Sequence, residues 1–135
     1  MSSTEHRIDR QCLEQFVQAI WRHAGSTEQE AARVADHLVQ ANLAGHDSHG
    51  VGMIPSYMSS LAQGHLQLNV HAKVVRDAGA VLTVDGGQGF GQVVACEAME
   101  KGIERARQLG LAAVALHNSH HIGRIGHWAE PVSYT

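Results

Sequence analysis

The chain has 135 residues, 44% of them apolar and 17% charged, with a formal net charge of −3. That size and composition suit one globular unit with its own core. The negative balance, with basic residues scattered along the chain, leaves no electrostatic case for nucleic acid or an anionic membrane surface.

Asp9 can cap a first helix whose apolar positions Leu13, Phe16, Val17, Ile20, Trp21 and Ala24 form one stripe at spacings of three and four. Upstream, MSSTEHRIDR has no apolar signal core, and no run in the chain approaches the roughly 18 apolar residues of a spanning helix, so a cytoplasmic location is expected. Gly25 ends the first helix, and Ser26 with Gln29 makes a capping-box pattern for the second. Ala31, Val34, Ala35, Leu38 and Val39 then share a face up to Gly45. Pro55 suits the first turn of a short third helix, PSYMSSLAQ, closed by Gly64.

The period then changes. Lys73–Arg76 and Val81–Val84 read as strands around an Asp-Ala-Gly turn. Gln92 to Leu109 is helical, with Val94, Ala98, Met99, Ile103, Ala106 and Leu109 on one face and a Glu97–Lys101 pair on the other. Gly110 stops it, and LAAVAL reads as a buried strand. The fold class is α/β in the order α-α-α-β-β-α-β, with an N-terminal helical region over 1–70 and a partial α/β unit over 71–135. The 2 cysteines, Cys12 and Cys96, sit at apolar-face positions of helices and form no C-x-x-C pattern, so neither a disulfide framework nor a cysteine zinc site is expected.

AVLTVDGGQGFGQVV has the form of a strand, a glycine loop and a helix start, where backbone amides suit a phosphate. Its spacing, however, is neither G-x-G-x-x-G nor a P-loop. No acidic residue ends the next strand, where His117 and Asn118 stand instead. A tight turn that lets helix and sheet pack closely is the favoured reading.

Histidine is enriched, with 11 residues, five of them in two turns: HDSHG at 46–50 and HNSHHIGR at 117–124. The second directly follows a strand, at the carboxyl end where open α/β sheets bind ligands. Imidazole exchanges protons near neutral pH, and Ser48 offers a hydroxyl to orient a substrate oxygen. Asp47 could fix an imidazole tautomer. Structural roles compete: Asp47 and Ser48 as caps for the helix near Pro55, and His46 as a favourable charge at a helix end. A metal site built from His46, His49, His120 and His121 is a further alternative.

NLAGHDSHGVGMIPSY, VDGGQGFGQVVACEAM and ALHNSHHIGRIGHWAE together resemble the N-terminal part of the type-2 malate/L-lactate dehydrogenase family, from about Ile8 to Glu130. This family includes ureidoglycolate, sulfolactate and piperideine-carboxylate oxidoreductases. The resemblance implies a non-Rossmann fold, a homodimer, NAD or NADP as cofactor, and a small 2-hydroxy or 2-oxo acid as substrate. It places Ser48 and His49 at the substrate, His121 as proton acceptor and His120 as its neighbour. Relatives carry an arginine in S-H-G-x-x-R where this chain has Met53, so Arg124 becomes the candidate for the substrate carboxylate. No residue of this chain is assigned to the cofactor, and no metal is expected.

Family chains are more than twice this length, and after HWAE a helix should continue where the chain offers PVSYT, with Pro131 awkward inside it. The chain therefore reads as an N-terminal portion, with little turnover expected of it in isolation and apolar faces left to promote association. A non-catalytic binding module that keeps the helical hairpin is the reading from another class.

Overall fold

Asp9 starts the first helix as its spacing predicts: its carboxylate accepts from the Cys12 amide at 3.0 Å. Helix α1 (Arg10–Ala24) closes on Gly25, which adopts φ +111°. This left-handed conformation is what glycine tolerates at a helix end. The computed structural model describes residues 7–133. Met1–His6 of the MSSTEHRIDR stretch, and Tyr134–Thr135 of PVSYT, lie outside the described residues.

Helix α2 (Glu28–Leu43) is capped one residue later than the Ser26–Gln29 pattern indicates, by Thr27, whose hydroxyl accepts from the Glu30 amide. Ser26 instead donates to the Glu30 carboxylate at 2.6 Å. That carboxylate is only 5% exposed and also accepts from the Asn69 amide at 2.8 Å. Asn69 in turn donates to the Gly25 carbonyl and accepts from the Thr27 amide. The turn is set by a distant loop, which local capping rules do not contain.

Val17, Trp21, Ala31, Val34, Ala35, Leu38, Tyr57, Leu66, Phe90 and Val93 form the main core. The Trp21 and Phe90 rings meet edge to face, centroids 4.9 Å apart. Leu13, Val17, Trp21 and Ala24 of α1 face this core. Phe16, on the flank of the predicted stripe, is 64% exposed, and Cys12 is exposed as well. The cause is geometric: α2 covers one side of α1, and among the described residues nothing covers the other.

Two short 3-10 turns, Asp47–His49 and Val51–Met53, lead into α3 (Ile54–Ala62), with Pro55 in its first turn. Strands β1 (Lys73–Ala78) and β2 (Val81–Asp85) pair antiparallel through a glycine-first turn at Gly79, φ +70°. Helix α4 (Gly91–Leu109) then crosses to β3 (Ala113–His117), parallel to β2, giving the order β1-β2-β3. Asp77 and Arg105 form a two-pronged ion pair, with both contacts at 2.7 Å, that fastens the hairpin tip to α4.

Four expectations change here. β3 alternates exposed and half-buried residues and is not a buried strand. Leu82, Val84 and Ala98 form a core on the α4 side of the sheet, and no described element lies on the opposite face. Glu97 does not pair with Lys101; it accepts from His71 Nδ1 and the Ala72 amide, each at 2.7 Å. Leu109, counted on the apolar face of α4, is 53% exposed because it lies past the end of the sheet contact. Finally, α5 (Gly126–Ser133) runs through Pro131, where the missing N–H forfeits one helical bond. No described helix is long and apolar enough to cross a membrane.

Candidate active site

Parallel strands β2 and β3 end side by side, and the chain beyond each end forms the two walls of the site. The first wall is the glycine loop 86–91. The Gly86 amide donates to the His117 carbonyl at 2.9 Å, the Gln88 amide to Asn118 at 2.6 Å, and the His120 amide to Gly89 at 3.0 Å. A Cβ on Gly91 would lie 2.2 Å from the His121 carbonyl oxygen, and one on Gly86 3.0 Å from the Ser119 side chain. The glycines let the loop touch the histidine turn, as the tight-turn reading expects. The amides of Gly86, Gly87, Gln88 and Gly89 all donate within the protein, so they are not a free nest for the phosphates of a dinucleotide.

The second wall is the histidine turn itself. Asn118 adopts φ +53° and donates to Asp85 at 2.9 Å, which fixes the exit from β3. Opposite stands the 46–50 turn, held by Asn42 at the end of α2. The Asn42 amide donates to Asp47 at 2.7 Å, and its oxygen accepts from the Val51 amide at 2.9 Å. Gly50 is required there: a Cβ would come 2.2 Å from the Asn42 oxygen.

These walls bring His49 and His121 into a stack, centroids 5.4 Å apart and planes 29° from parallel. Ser48 Oγ shares a hydrogen bond of 2.9 Å with His49 Nδ1. His121 Nδ1 lies 2.7 Å from the Tyr57 hydroxyl, which also accepts from Gln92 Nε2 at 2.8 Å. Tyr57 and Gln92 are buried, at 0% and 1% exposure. His120 meets Tyr57 edge on at 5.1 Å, so Ser48, His49, His120 and His121 do converge.

Arg124 is half-buried beyond the turn, its guanidinium against Gly126 at the start of α5, and its charge bears on His37. Asp47 plays neither role foreseen for it. Its carboxylate binds Asn42, and no side-chain cap holds the 3-10 turns or α3. The imidazole partners are Ser48 and Tyr57 instead.

Burial, and then the nearby imidazole of His49, lower the His121 pKa below the ordinary histidine value. Burial also lowers His120, with His121 contributing. For Tyr57, burial pushes the phenol up to about 12 against the opposing Gln92 hydrogen bond, so it stays protonated. Among the described residues no group of three or more His, Cys, Asp or Glu side chains could hold a metal ion. His46, needed for the metal alternative, stands edge on to His49 with centroids 6.4 Å apart.

Sequence reasoning missed Asn42, Tyr57 and Gln92. Gln92 carried one signal, a lone amide within the apolar start of α4 (GQVVA). Tyr57 and Asn42 carried none, since each sits in an ordinary helical pattern.

The malate/L-lactate dehydrogenase family matches residues 8–134, four residues beyond the Glu130 limit read from the motifs. The chain is 68% identical over 125 residues to hydroxycarboxylate dehydrogenase B of Escherichia coli K12, covering 93% of this chain and 35% of the relative. It is 38% identical over 123 residues to a malate dehydrogenase of Pyrococcus abyssi, covering 91% and 34%. The structure of malate dehydrogenase from Pyrococcus horikoshii superposes with a TM-score of 0.90 at 32% identity, over 96% of this chain and 37% of that one. The chain thus spans about a third of the length of these relatives.

Proposed function

The chain belongs to the malate/L-lactate dehydrogenase family, and on that premise we propose that it carries the proton-transfer part of an NAD(P)-dependent oxidoreductase interconverting 2-hydroxy and 2-oxo acids. His121 is the proton acceptor. Ser48 and His49 bind the substrate, His120 borders it, and Arg124 takes its carboxylate. The observation that carries this reading is the His49–His121 stack at the carboxyl ends of two parallel strands.

Tyr57 occupies Nδ1 of His121, so the proton is exchanged at Nε2. A lowered pKa keeps this ring neutral at physiological pH, and in the tautomer that leaves Nε2 unprotonated it can receive the hydroxyl proton of a 2-hydroxy acid. In the reverse direction the same shift makes the imidazolium a better donor to the nascent alkoxide. Ser48, tied to His49, holds a hydroxyl where it can orient the reacting oxygen. The nicotinamide, when bound, supplies the hydride acceptor. We assign none of this chain's residues to it, and the glycine loop, whose amides bond within the protein, is not proposed as its phosphate cradle. A cytoplasmic homodimer is part of the proposal, by analogy with the family.

The test grafts residues 8–134 into the E. coli hydroxycarboxylate dehydrogenase B in place of its matching segment. The hybrid should reduce 2-oxo acids with NADH or NADPH. His121→Asn should lower kcat by roughly 10²–10⁴-fold. A hybrid that is folded and active with His121→Asn at full rate removes His121 from the chemistry.

A further inference from the structure

Tyr57 has one hydroxyl proton and is wholly buried, so that proton needs an acceptor. Gln92 Nε2 is a donor and occupies one of the phenol's lone pairs. His121 Nδ1, at 2.7 Å, is therefore the group that receives the phenol proton in the arrangement found. A nitrogen that accepts cannot also carry hydrogen, so neutral His121 must be protonated at Nε2. Meanwhile Gln92 Oε1 is buried with no hydrogen-bond partner among the described residues. An orphaned acceptor beside a hydroxyl that can rotate is the second half of a two-state arrangement.

We propose that Gln92, acting through Tyr57, is a positioning residue that decides which ring nitrogen of His121 carries the proton. With the amide as found, hydrogen bonds run from Gln92 Nε2 to Tyr57 to His121 Nδ1, and Nε2 bears hydrogen. With the amide reversed they run the other way: His121 Nδ1–H donates to the phenol oxygen, and the phenol donates to Gln92 Oε1. Only the second state presents a lone pair at Nε2 to a hydroxy acid. After that nitrogen takes the substrate proton, the ring is an imidazolium with Nδ1–H still bonded to Tyr57. The first state presents Nε2–H, a hydrogen-bond donor suited to a keto oxygen. The phenol keeps its proton in both, and no charge enters the Tyr57–Gln92 pair. Gln92 is suited to this task because reversing its amide exchanges a donor for an acceptor at the phenol with no change of charge.

This inference rests on the reading of His121 as the proton-exchanging group, but its test needs no substrate. Nitrogen-15 NMR of the histidine-labelled 135-residue chain, with His121 assigned by its loss in His121→Gln, reports the tautomer directly. At a pH where His121 is neutral, the wild-type ring should carry hydrogen mainly at Nε2. In Gln92→Glu the ionised carboxylate can only accept, so His121 should change to the Nδ1–H form. The measurement is made where the introduced carboxyl is ionised by its own carbon-13 shift. A wild-type ring protonated mainly at Nδ1 overturns the proposal without any variant. So does a folded Gln92→Glu chain, ionised at that carboxyl, whose His121 keeps hydrogen at Nε2. Loss of activity in the hybrid enzyme with the tautomer as expected would instead count against the catalytic reading alone.

Discussion

His49 and His121, drawn from turns that follow α2 and β3, stack with their ring centroids 5.4 Å apart, and no carboxylate bonds to either ring among the described residues. Charge on His49 this close disfavours protonation of His121. His121, its pKa already lowered by burial and then by His49, should therefore titrate by NMR below an ordinary histidine. His49→Phe keeps a ring in the stack and removes the charge, so the His121 pKa should rise part of the way back. His120 and Tyr57 also face His121 and are unchanged in that comparison. An unmoved His121 titration would show that His49 does not act on it.

Close approach of the glycine loop to the histidine turn predicts a sharp contrast between two glycines. Gly91→Ala sets a methyl 2.2 Å from the His121 carbonyl oxygen, a clash that the backbone must move to relieve. The expected loss is about 2–4 kcal/mol by urea denaturation. Gly52→Ala, whose nearest neighbour would be 3.9 Å away, should stay within about 0.5 kcal/mol of wild type. Equal effects at the two sites would contradict the packing described.

His37 is 3% exposed, against Gly123, His127 and Trp128, and Nε2 has no partner among the described residues. Burial, then His127, Arg124 and His121, lower its pKa to about 4. The unfolded chain, with an ordinary histidine value of about 6.5, binds the proton first as pH falls. Stability from keeping His37 neutral is thus fully present above that value and is lost between about 6.5 and 4. The loss should be roughly 2–4 kcal/mol. Urea unfolding across this range should show the slope, and His37→Leu should flatten it.

Glu30 predicts a cost of a different kind. Its buried carboxylate accepts from Ser26 and from the Asn69 amide, so Glu30→Ala strands two donors. A loss of about 2–3 kcal/mol is expected, against about 1 kcal/mol for Ser26→Ala. If both variants cost the same in thermal or urea unfolding, the Asn69 link contributes nothing.

Phe16 and Ile8 on the α1 side, and Val75, Val81 and Leu111 around the sheet, are each more than a third exposed. Apolar surface of this extent favours association. Sedimentation of the 135-residue chain should show mass rising with concentration, reduced by Phe16→Ser with Val75→Ser. A strictly monomeric chain at high concentration would remove this expectation.

Sequence alone determined the elements, because helices and strands are written in local period and local stops. Asp9, Gly25, Pro55, Gly64 and Gly110 each mark an end that the structure keeps within a residue or two. It also determined that Ser48, His49, His120 and His121 lie in turns that carry the family's motifs. Only the tertiary structure decided that the two turns meet, that Tyr57 and Gln92 stand behind His121, and that Asp47 serves Asn42. It also decided that β3 keeps one face open and that Thr27, not Ser26, caps α2. The physical reason is range. A cap or a stripe is settled within a few residues, whereas a hydrogen bond from Tyr57 to His121 depends on how α3, α4 and β3 pack, which no local pattern records.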